Sequence, residues 1–408
     1  MRKPTVAMLA GAGAAIGGMG MLTIDDTVAQ APAAPKARYW MDAETTGGIA
    51  AAGANPMAMM MGRGGGAQHS LVLRLGSTLP ATGAPKGDHF MPPAAKLGPS
   101  VPLETPVSTY EETPREFQRP KGRLRIYWGC GAHAGPGQPI VIDFAKVAAG
   151  QFPPNLFTTS VPVEQGPTKG NSRTFGTWPN TQKTKTISAS SSLLGAHRIA
   201  ANYSPEISFT LNQDFMPPLR ARGGDAPGGA VALSWDGLPS ATGYYAMAVG
   251  GAGSERGGAD VVWWASSATQ QFGGGLSGWL SPATVARLIG QKVVMPPTQT
   301  SCMIPAEVKT AAGQMLMTML TAYGPEADFV YPPRPANPKT PWNPEWTAKV
   351  RFRSSTSILP GFDMNAAMSS ANANDDDTAR DAPSKKKCKK PGGLGGMLGG
   401  ALGVPTGC

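Results

Sequence analysis

Four methionines within five positions, Met57, Met59, Met60 and Met61, with His69 downstream, form the sharpest chemical pattern in this 408-residue chain. Thioether sulfur and imidazole nitrogen are soft donors of the kind that hold Cu(I). No regular Met-x-x-Met repeat accompanies them, so the competing reading is a Met-rich spacer. A second candidate pairs Cys130 with His133, three positions on, where an imidazole that draws the thiol proton would leave a nucleophilic thiolate. Against this stand four cysteines in all, Cys130, Cys302, Cys388 and Cys408, which an oxidising compartment would bridge in pairs. Cys388 and Cys408 flank a Gly-rich tail, whereas Cys130 and Cys302 adjoin apolar segments, and those two pairings are the ones expected. Bridged to Cys302, Cys130 is no nucleophile.

The four histidines, His69, His89, His133 and His197, fall in no H-E-x-x-H arrangement, and neither a G-x-S-x-G elbow nor a phosphate-binding P-loop is present. No catalytic residue is assigned on sequence. Paired carboxylates acting on a sugar polymer stay open, because only a fold sets their spacing. Leu79-Pro80-Ala81-Thr82-Gly83 spells a wall-sorting signal, but it lies far from the carboxyl end and reads as a chance match. The net charge is +10 with only 15% charged residues. That excess suits an anionic envelope polymer or a membrane surface, met through the basic block at residues 385–390. Nucleic acid is not an expected partner, since no dense basic stripe accompanies stacking aromatics.

The chain begins as an exported one would. Arg2 and Lys3 precede an uncharged run at residues 6–22, and small residues follow around position 30. Cleavage after Ala33, leaving Ala34 first, is favoured, with Gln30 as the other start; cutting after Ala31 would leave Pro32 first. A retained anchor is the alternative, but the run is rich in Gly and Ala and is followed by Asp25 and Asp26.

The elements that would position these groups are mostly strands. Residues 34–118 read as Ala/Gly/Pro/Met-rich low complexity with one short strand at 70–75. A β unit is expected over 119–220, with strands near 123–128, 139–144 and 206–211 set by alternating apolar residues, and polar loops or edge hairpins at 165–192. A second unit covers 221–362. It includes an apolar strand with Trp263 and Trp264, a short helix near 281–289, a helix at 305–323 ended by Gly324-Pro325, and a charge-protected edge strand at 349–353. Residues 363–408 read as a disordered, charged and Gly-rich tail.

Within the second unit, Val231, Leu233 and Trp235 alternate along a strand, Asp236-Gly237-Leu238-Pro239 turns the chain, and Ala241-Thr242-Gly243-Tyr244-Tyr245 opens the next strand. This passage, residues 231–249, resembles the B to C region of fibronectin type III domains. The resemblance implies a β-sandwich serving as a spacer or binding module rather than a catalyst. The expected protein is therefore mainly β, with one or two sandwich-like units, one packed helix and disordered ends. The expected function is that of an exported envelope or extracellular structural or binding protein. The alternatives are an exported enzyme acting on a polymer such as polysaccharide, and a Met-rich Cu(I)-binding envelope protein.

Overall fold

The computed structural model describes residues 34–51, 67–106, 122–151, 161, 164–180, 187–253, 259–313, 315–337 and 339–360. The expected signal segment, Met57 to Met61, the tail from residue 363, and Cys388 with Cys408 lie outside them. The described protein is mainly β and sandwich-like.

Strand β1 (Ala37–Gly47) shows how the large sheet is built. Tyr39, Met41, Ala43 and Thr45 are buried on one face, and Arg38, Trp40, Asp42 and Glu44 take the other, following the two-residue period of a strand. Edge to edge the nine-stranded sheet runs Ile140–Asp143 (β6), Gly122–Trp128 (β5), Ala259–Ala265 (β13), Gly243–Gly253 (β12), Leu316–Tyr331 (β15), Trp346–Ile358 (β16), β1, Gln68–Ser77 (β2) and Thr174–Trp178 (β7). Its neighbours are antiparallel except β5 with β13 and β1 with β16. One small sheet is ordered β4-β3-β8-β9, from Gly87–Phe90 (β3), Val101–Pro102 (β4), Gly195–Ala201 (β8) and Ile207–Leu211 (β9). The other is ordered β10-β11-β14, from Ala221–Asp225 (β10), Val231–Trp235 (β11) and Ser301–Ile304 (β14).

Both small sheets share one contiguous apolar cluster with the large sheet, from Tyr39 and Leu73 through Ile207 and Phe209 to Leu233, Trp264 and Phe352. Of the helices α1 (Gly48–Ala51), α2 (Phe144–Ala148), α3 (Pro282–Gly290) and α4 (Ala306–Ala312), α4 joins that cluster through Val308 and Ala312. Helix α3 covers the opposite face, where Val285 and Leu288 pack with Tyr245, Met247 and Tyr323. It forms where the sequence places it, with Ser281 Oγ accepting from the Thr284 N–H and Pro282 in the first turn.

Three expectations are corrected. The helix expected over 305–323 stops at Ala312, and residues from Leu316 form β15. Gly313 at φ 70° breaks the helix, and the same methionines and leucines also satisfy a period of two. Gly324-Pro325 then marks a bulge inside β15, where the register against β16 shifts. Among the described residues the span 34–118 supplies four strands, β1 to β4, rather than one. The strand at 349–353 is no edge. It belongs to β16, which lies between β15 and β1, and Arg351 is only 3% exposed. Its charges are neutralised by carboxylates on the adjoining strands rather than by water. Trp263 and Trp264 lie on β13, between β5 and β12, as their apolar run suggests.

Candidate functional site

A chemically mixed cavity opens where β5 ends. Its volume is about 640 Å³, and Trp128, Cys130, His133, Gln138, Lys292 and Gln299 are among its lining residues. The loop after Trp128 is held onto the second half of the chain by several independent contacts. Cys130 and Cys302 form a disulfide across 172 residues, with Cα atoms 5.2 Å apart. The Gly131 N–H donates to Met303 O at 2.9 Å, and the Ala306 N–H donates to Ala132 O at 3.0 Å. Glu307, in the first turn of α4, accepts from the Ala134 N–H at 2.9 Å and lies 3.1 Å from His133 Nδ1. These hydrogen bonds, led by the Ala134 N–H, hold the Glu307 carboxyl below its ordinary range.

Because a carboxylate only accepts, His133 Nδ1 carries a proton turned toward Glu307. His133 therefore partners Glu307 rather than Cys130, whose sulfur is committed to Cys302. The thiolate-imidazole arrangement is not assembled. Sequence reading found Cys130, Cys302 and His133 but missed Gln138, Lys292 and Gln299, which carry no local motif and meet only in space.

Of the soft-metal group only His69 lies among the described residues. His69 sits at the start of β2 with its ring stacked on Phe215 at 3.8 Å, and burial lowers its pKa. No cluster of three or more His, Cys, Asp or Glu able to hold a metal occurs among the described residues.

The remaining histidines form a buried chain. Tyr39 Oη lies 2.7 Å from His89 Nδ1, His89 Nε2 lies 3.0 Å from His197 Nδ1, and His197 Nε2 lies 2.7 Å from Leu193 O. Leu193 O can only accept, so His197 Nε2 is protonated, and the remaining donors follow in order: His89 Nε2–H to His197, then Tyr39 O–H to His89. Every polar atom of the chain is satisfied with both rings neutral. Burial pushes His89 well below its usual value and lowers His197, and it raises the Tyr39 phenol.

The outward face of β1, β2 and β16 carries a charged strip. Asp42, 3% exposed, accepts from Arg351 at 2.6 and 2.8 Å and also from Arg74. Glu44 accepts from Arg353 at 2.8 Å, and Glu326 from Lys349 at 2.8 Å. Arg351 stacks over Trp40 at 4.4 Å, and Arg353 over Trp279 at 4.4 Å. A polymer-cleaving site would need free carboxylates and bare indole faces. Here Asp42, Glu44 and Glu326 bond to cations, and Trp40 and Trp279 are each capped by a guanidinium.

Comparison with protein-family models, with curated proteins and with solved structures finds no match to this chain. Among the described residues no helix is long and apolar enough to cross a membrane.

Proposed function

We propose that this protein is an exported cell-envelope or extracellular binding module, in which the packed sheets act as a rigid frame and the cavity beside Cys130–Cys302 takes the ligand. The observation that carries the reading is that cavity. It is mixed in polarity, and a disulfide and a loop hydrogen-bonded to Glu307 fix its wall. A bridge between residues so far apart in sequence suits an oxidising compartment, in keeping with the export-type amino terminus. What supports a fibronectin type III-like character is the passage at 231–249. There β11 and β12 belong to different sheets, the Trp235 ring lies 5.4 Å from that of Tyr244, and Tyr244 Oη accepts from the Leu238 N–H at 2.7 Å.

Two measurements test the proposal. Fractionation of the native host with intact mass and non-reducing peptide mapping should return a product starting at Ala34 or Gln30 with Cys130 joined to Cys302. A cytoplasmic product bearing Met1 and free thiols would sink the export reading. Ligand-observed NMR against a fragment library should show binding that is lost in Ala268→Trp, which fills the cavity from an exposed position. Equal binding by that variant would move the site elsewhere.

A further inference from the structure

Lys292 stands out on the cavity wall. It follows α3 at φ 57°, in the left-handed region that favours glycine. The hydrogen bonds define the turn: the Lys292 N–H donates to Ile289 O and the Val293 N–H to Leu288 O, both at 2.9 Å. This is a Schellman closure with lysine at the position glycine usually occupies. Glycine would serve the helix end better, so the side chain is retained at a cost in backbone strain. Lys292 is exposed, lines the cavity and makes no ion pair among the described residues.

The polar groups around it are of mixed sign. Gln138 Oε1 accepts from the Trp128 N–H at 2.7 Å, leaving its amide NH₂ to donate. Gln299 Nε2 donates to Ser301 O at 2.9 Å, leaving its carbonyl to accept. His133 lies beside them with its Nδ1–H turned to Glu307 and Nε2 left for a ligand. Phosphate or sulfate, which chiefly accept, would leave the Gln299 carbonyl unpaired, whereas sugar hydroxyls donate and accept at once. Trp128 is among the lining residues, so apolar surface adjoins these polar groups.

We infer that the cavity recognises an acidic saccharide of the hexuronate class, with its carboxylate at Lys292 and its ring hydroxyls among Gln138, Gln299 and His133. This rests on the binding reading above and narrows its ligand. The site is built for recognition, and no bond is made or broken.

The test is calorimetric titration of the full chain with oligogalacturonate, with a neutral gluco-oligomer of equal length and with inorganic phosphate. Each is run on wild type, Lys292→Gly and Ala268→Trp. The expected result is oligogalacturonate binding at least tenfold tighter than the neutral oligomer and weakened at least tenfold in Lys292→Gly. The melting temperature of that variant should be unchanged or raised, since glycine suits the turn. Ala268→Trp should abolish binding. Equal affinity for the neutral oligomer, or phosphate binding as well as oligogalacturonate, would overturn the uronate assignment while leaving the cavity intact. If fragments dock in the cavity but no saccharide does, the inference alone fails; if neither binds, the binding reading fails with it.

Discussion

Acidification should weaken the fold through the buried pair His89 and His197. Both folded-state values lie below the ordinary 6.5, because burial disfavours the imidazolium. A lowered base binds fewer protons folded than unfolded, so its contribution is complete above about pH 6.5 and is lost as pH falls below it. For a ring still neutral in the fold at pH 5.5, the unfolded chain gains RT ln(1 + 10), about 1.4 kcal/mol. His89, shifted furthest, should supply most of the effect, with His197 and the partly buried His69 adding to it. The loss between pH 7.5 and 5.5 should be on the order of 1–3 kcal/mol. Urea unfolding at the two pH values measures it. The double variant His89→Phe/His197→Phe should keep only the smaller dependence that His69 contributes, while being less stable at both, since Tyr39 Oη and Leu193 O are left unpaired. Should that variant not fold, imidazole NMR titration of wild type gives the same answer. Resonances of His89 that titrate at the ordinary value, or wild-type stability flat across this range, would refute the neutral chain.

Other perturbations follow from particular contacts. Asp42→Asn strips the charge that faces buried Arg351 and should cost about 3–5 kcal/mol in chemical denaturation, far more than removal of an exposed pair such as Lys36 with Glu345. Opening the bridge by Cys130→Ser/Cys302→Ser frees a loop of 172 residues in the unfolded chain, worth about 5 kcal/mol on the chain-entropy account, and should lower the melting temperature and loosen the cavity wall together. Gly250→Ala would set a methyl 2.5 Å from Ala312 Cβ and 2.6 Å from Met315 O, so a loss of about 1–3 kcal/mol is expected, and an unchanged midpoint would show that α4 can yield.

The sequence by itself determined the class of the protein and many of its local elements. Alternation of two marked β5, β9 and β11, because a strand sends neighbouring side chains to opposite faces and one face must be dry. The short helix near 281–289 was legible too, and the cap that starts α3 at Ser281 is a local contact. Tertiary structure decided the rest. Residues 315–323 satisfy both helical and strand periods, and only pairing with β12 and β16 makes them β15. Strand β1 was hidden because its outward row, Arg38, Trp40, Asp42 and Glu44, reads as a polar segment until Arg351 and Arg353 arrive from β16, roughly three hundred residues away. The cavity was equally illegible: Gln138, Lys292 and Gln299 carry no spacing that announces them, and they converge because the loop after β5 is stapled to β14 and α4. Local patterns are set by chemistry within a few residues, whereas a site is set by which distant surfaces the core brings into contact.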